Sequence, residues 1–132
     1  MEQVYDAIDF LKGMISIPSY SREEKEVADF LQQCWIRAGR EVYRQGNNLW
    51  LSTAIDTTKP TLLLNSHIDT VRPVSGWNKD PFMPDDREGD ILYGLGSNDA
   101  GASVVSLYEV FTILSQKVQP YNLIFLASAE EE

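Results

Sequence analysis

Two apolar runs constrain this chain more than anything else in it. "TLLLN" (residues 61–65) runs into "SHIDT", and "NLIFLASA" (residues 122–129) runs into "EEE". Continuous apolar runs of this length predict strands covered on both faces. Between them lies "AGASVVSLYEVFTILSQK", residues 100–117, which is apolar nearly all round and predicts a central helix ended by Pro120. A buried strand, a helix and a second buried strand in that order point to an α/β sheet.

The remainder fits that plan. Residues 4–15 carry Val4, Ile8, Leu11 and Ile15 at helical spacing, and Pro18 stops the helix. A second helix is expected after Ser21, which forms a capping-box pattern with Glu24. Its apolar stripe is Val27, Phe30, Leu31, Cys34 and Trp35, and Gly39 is placed to terminate it. "EVYRQ" and "NLWLSTA" flank the turn signal "GNN" and predict a hairpin. Residues 72–90 are irregular and proline-rich, and "DILYGLG" predicts a short strand entering a glycine loop. Cys34, the only cysteine, excludes an internal disulfide and is expected as a buried structural thiol.

Charge narrows the function. Twenty acids against eleven bases give a net charge of -9, which argues against nucleic acid, since phosphate binding needs clustered Lys and Arg. No apolar stretch is long enough to span a bilayer and no basic-then-apolar leader opens the chain, so the expectation is a soluble cytoplasmic protein without a membrane partner. No serine sits in a Gly-x-Ser-x-Gly elbow, which leaves a nucleophilic hydrolase without support.

Three places carry chemistry. His67, the one histidine, stands where an apolar run ends, with Asp69 two residues on. In an extended backbone both project to one side, and the carboxylate can hold the second ring N–H of a metal-bound imidazole. "LYGLGSNDAGAS" has the order of a dinucleotide-binding turn, but Asp99 occupies the third glycine position and would repel a pyrophosphate. Asp99 is therefore either a helix N-cap or a metal ligand. Glu130, Glu131 and Glu132 are either a solvated acid run or adjacent carboxylates that divide metal binding and proton transfer.

In order, "HIDTV", "WNKDPF", "LYGLGSND" and "LIFLASAEEE" resemble the M20 family of metal-dependent amidohydrolases and exopeptidases, nearest to its acetylornithine deacetylase and succinyl-diaminopimelate desuccinylase subgroup. The resemblance covers essentially the whole chain. It implies a three-layer α/β/α zinc-exopeptidase-like catalytic domain with a mixed sheet, of which residues 1–132 form the N-terminal part. A lid used for homodimerisation and the rest of the catalytic domain would lie outside this sequence.

The resemblance further implies two divalent ions, zinc or alternatively cobalt. His67 would bind one ion, Asp99 would bridge both, Glu132 would bind the other, and Asp69 would orient His67. Glu131 would be the general base. A register slipped by one would give those last two roles to Glu130 as base and Glu131 as ligand. The implied reaction removes an acetyl or succinyl group from a small N-acyl amino acid such as N-acetylornithine, as in arginine biosynthesis. A dipeptidase, tripeptidase or carboxypeptidase is the alternative, and a non-catalytic domain retaining the fold is a second one. Ala100-Gly101-Ala102 stands where the family often has Met-Lys-Gly. The family's further acidic ligand and late histidine have no counterpart here, so the isolated segment is expected to bind metal weakly and to turn over little or nothing.

Overall fold

A computed structural model describes residues 6–132. It contains α1 (Ala7–Ile15), α2 (Lys25–Arg37), β1 (Tyr43–Gln45), β2 (Asn48–Ser52), β3 (Thr61–His67), α3 (Ala102–Leu114) and β4 (Asn122–Ser128). The strands form one mixed sheet in the order β1-β2-β4-β3. β3 and β4 run parallel, joined through α3, while β2 is antiparallel to both β1 and β4.

Register explains which residues face the helices. Leu123, Phe125 and Ala127 of β4 align with Leu62, Leu64 and Ser66 of β3, and Leu49 and Leu51 of β2 share their face. The core forms there, with Phe10, Leu11, Val27, Leu31, Trp35, Val104 and Phe111 from the three helices. Trp35 lies 5.5 Å from Tyr108 and 5.6 Å from Phe125, ring to ring. Each such large side chain contributes about 1.5–3 kcal/mol on full burial.

Several expectations change. Val4 lies outside the described residues. Leu11 and Ile15 of the expected stripe are buried, joined by Phe10 and Met14, but Ile8 is 53% exposed. "TLLLN" is not covered on both faces among the described residues. β3 is an edge strand, and Leu63 is 53% exposed. α3 likewise buries Val104, Val105 and Phe111 but leaves Ile113 exposed. "DILYGLG" forms no strand; Tyr93 makes one antiparallel bridge, to Asp85. Cys34 is only partly buried, and that burial pushes its thiol pKa up.

The end of α2 agrees with its sequence. Gly39, at φ 81, donates to Ile36 O and Arg40 to Trp35 O, the paired bonds of a Schellman stop. Its start does not. The helix begins at Lys25, and neither Ser21 nor Glu24 caps it with a side chain. Among the described residues no helix is long and apolar enough to cross a membrane.

Candidate metal centre

β3 ends at His67 and β4 at Ser128, paired neighbours in a parallel register. The carboxyl ends of parallel strands are where open α/β sheets collect ligands, because both chains leave the sheet there as loops. "IDT" and "AEEE" are those loops, and the glycine turn carrying Asp99 arrives beside them.

His67 is the pivot. Its Nδ1 donates to the backbone carbonyl of Asp69 at 2.9 Å, which fixes that proton and leaves Nε2 facing outward. Asp99 Oδ1 is 2.9 Å from Nε2, and Glu131 Oε2 is 3.6 Å from it. The Asp69 carboxylate, expected on the ring, stands 3.4 Å from Nδ1. Its oxygens instead accept the backbone N–H groups of Glu131 at 3.1 Å and Glu132 at 2.9 Å. Asp69 thus orients His67 mainly through its main chain and spends its carboxylate on the acidic segment.

Electrostatics follow this wiring. Burial alone would lower the His67 pKa; the Asp69 carbonyl and the carboxylates of Asp69, Glu131 and Asp99 outweigh it and hold the ring above its ordinary value of 6.5. Burial would raise Asp69, but the two backbone N–H donors outweigh it and hold the carboxyl below its usual 3.8. Glu132 is pushed up, by desolvation first and then by Asp99 and Glu131. Among the described residues no lysine or arginine forms an ion pair with Asp99, Glu131 or Glu132; His67 is the partner of the first two.

Asp99 is presented by an irregular turn, Ser97–Gly101, rather than by a regular helix N-terminus. The cap position of α3 is Gly101, no side chain caps that helix, and the Asp99 carboxylate lies on His67 instead, so the N-cap reading does not describe it. Gly101 N donates to Gly96 O at 2.7 Å, and a Cβ on Gly101 would come within 2.6 Å of that same oxygen. Only glycine fits this approach. Leu95 N donates to Pro81 O, which ties "WNKDPF" to the glycine loop.

A cation fits here on donor chemistry. His67, Glu131 and Glu132 each offer a ligand atom, all within 4.8 Å of one another. Ligand atoms on one tetrahedral zinc stand ~3.3 Å apart, and the distances from His67 Nε2 to Asp99 and Glu131 bracket that value. The arrangement is one imidazole and three carboxylates without a fixed positive side chain. Neither Glu130 nor Asp99 belongs to the three-residue group, and Asp99 joins it only through His67 Nε2.

Sequence reasoning missed two contributors. Glu24, fully buried, accepts the backbone N–H of Glu130 at 2.9 Å through Oε1. Asn48 Oδ1 accepts the N–H of Ala129 at 2.8 Å. With Asp69, they satisfy four successive backbone amides, residues 129–132, by side chains. Ser21, also read as a cap, donates its hydroxyl to Glu132 O at 3.1 Å. No local signal singles out Glu24, which is one of three acids in the charged run "SREEKE".

The chain is 32% identical to a succinyl-diaminopimelate desuccinylase of Xylella fastidiosa over 96% of this chain and 35% of that protein. It is 30% identical to a succinyl-diaminopimelate desuccinylase of Bordetella avium over 95% of this chain and 34% of that one. It therefore spans about a third of the length of the curated relatives it matches. Its fold is similar to an M20 family metallo-carboxypeptidase of Sulfolobus solfataricus, with TM-score 0.78 and 20% identity over 97% of this chain and 31% of that one. It is similar also to human carnosine dipeptidase 1, with TM-score 0.66 and 22% identity over 93% of this chain and 31% of that one. The family model described as peptidase family M20/M25/M40 matches residues 63–132, just over half of the chain, and the chain belongs to that family.

Proposed function

We propose that this chain is the N-terminal part of the catalytic domain of a metal-dependent amide hydrolase, which removes an acyl group from a small N-acyl amino acid. The observation that carries the reading is that His67, Glu131 and Glu132 offer ligand atoms within 4.8 Å of one another, with Asp99 on His67 Nε2 and, among the described residues, no lysine or arginine paired to the acids. Such a cluster is neutralised most simply by divalent cations, zinc or cobalt. Bound zinc would bring the pKa of a coordinated water to ~7.

The chain's own residues then have distinct tasks. His67 offers Nε2 because its other nitrogen is committed to Asp69 O. His67, Glu132 and Asp99 would hold the ions, with Asp99 as the ligand common to both. Glu131 takes a proton from the attacking water and returns it to the leaving amine, which lets one side chain serve both halves of amide cleavage. Three ligands for two ions fall short of the about three per ion of catalytic zinc sites, so residues 1–132 alone bind weakly and turn over little.

A succinylated diamino acid is the favoured substrate, because the relatives named above are succinyl-diaminopimelate desuccinylases. N-Acetylornithine is the nearest chemical variant, and a dipeptide the competitor from the same fold. The full-length protein is taken as a cytoplasmic homodimer. The test is to strip the full-length protein with chelator, restore zinc or cobalt, and assay N-succinyl-diaminopimelate, N-acetylornithine and dipeptides. Activity restored by metal and highest on a succinylated diamino acid supports the reading; activity indifferent to chelator sinks it.

A further inference from the structure

The triple glutamate raises the question of what decides which of its members face the site. The chain bends sharply at Glu130, whose φ of 57° lies in the left-handed region that non-glycine residues hold only when their surroundings fix them. Arg22, at φ 73°, is the other non-glycine residue in that region among those described. The two bends meet at one atom. Glu24 Oε1 accepts the N–H of Arg22 at 2.9 Å and that of Glu130 at 2.9 Å, while Oε2 takes Asn47 Nδ2 at 3.5 Å. Glu24 is fully buried, so these donors replace its water.

We propose that Glu24 is a positioning residue: its buried carboxyl group locks the bend at Glu130 and so sets which glutamates of 130–132 reach the metal centre. The inference rests on the metal reading above and concerns a residue outside the cluster itself. The mechanism is one of reach. The side chain must span from the start of α2 to the second residue beyond β4, 106 positions away in sequence. Both critical bonds fall on Oε1, so an amide oxygen in the same place keeps them and gives up only the long 3.5 Å contact of Oε2 with Asn47.

This gives an ordering that charge alone would not. Glu24→Gln keeps an acceptor at the same reach and should bind zinc like wild type. Glu24→Leu removes the acceptor, and Glu24→Asp keeps the charge but falls a methylene short. Both should weaken zinc binding in the full-length protein roughly 10–100-fold, as loss of a group supporting metal ligands does. Zinc titration calorimetry reads the affinity. Amide exchange of the peptide containing Glu130, measured without metal, reads the bend and should quicken in the Leu and Asp variants only. If the Leu variant fails to fold, the Asp and Gln variants still decide. Folded Leu or Asp variants with wild-type zinc affinity, or a Gln variant as weak as the Asp one, overturn the proposal and leave the metal reading intact. A wild-type protein that takes up no zinc overturns both.

Discussion

Two acidic groupings sit in this molecule, and they are built oppositely. Asp85, with 9% of its side chain exposed, receives Arg87 Nε at 2.9 Å, Arg87 Nη2 at 2.7 Å and Lys79 Nζ at 3.0 Å. The Arg87 side chain, then its backbone N–H and Lys79, hold the Asp85 carboxyl far below the usual range. Around His67, three carboxylates crowd together without a lysine or arginine, and Glu132 is pushed up rather than down. The first grouping is complete in itself and pins an irregular segment. The second holds mutual repulsion that a cation would relieve. Counting acids does not separate the two; looking for their counter-charges does.

The largest way to break this contrast is at Glu131. In the full-length protein, on the proposed reading, Glu131→Gln should lower kcat about 10²–10⁴-fold, the usual worth of a general base, while zinc content stays at the wild-type level. Steady-state kinetics with metal analysis checks it. Loss of zinc along with activity would make Glu131 a ligand and move the base to Glu130.

Next in size is the turn that delivers Asp99. Gly101→Ala should destabilise the fold by about 1–3 kcal/mol, because its Cβ would press on Gly96 O and Leu11 Cδ1. Thermal or denaturant unfolding reads the loss.

Asp85→Asn should separate the groupings. It removes the acceptor that Arg87 and Lys79 share, so limited proteolysis should cut the segment around residues 79–93 faster. Zinc affinity should not move.

The smallest effect is one of pH. The folded His67 pKa lies above its ordinary 6.5, so its contribution to stability is fully present below 6.5 and is lost as pH rises through the folded value. Metal-free protein should therefore melt at a slightly higher temperature at pH 6 than at pH 8, within the range where carboxylates stay ionised. Excess zinc should reverse the order, because protonation of the ring competes with the metal. Paired melting curves with and without zinc test both signs.

What the sequence revealed depended on range. His67 and Asp69 are two residues apart, so their proximity is legible, although β3 ends at His67 and the contact runs through the Asp69 carbonyl. Gly96 and Asp99 are legible because a glycine loop before a helix is a local pattern. Ser21 and Glu24 also looked local, and there the local rule misled: their partners are Glu132 and Glu130, more than a hundred residues on. The same limit applies to β3. An apolar run predicts burial, yet whether a strand lies at the centre or the edge is decided by pairing, and β4 took the central place. In α1, Leu11 and Ile15 are buried as periodicity predicts while Ile8 is exposed, because periodicity gives a stripe but not how wide a part of the helix meets the core.

We propose that the acids around His67, which have no lysine or arginine partner among the described residues, hold cations. Anomalous X-ray scattering at the zinc edge, on crystals of the full-length protein grown with zinc, tests it most directly. Two strong peaks within bonding distance of His67, Asp99 and the terminal glutamates, with none at Asp85, are the expected result. A His67 site without metal under those conditions, or zinc held at Asp85 instead, would contradict it.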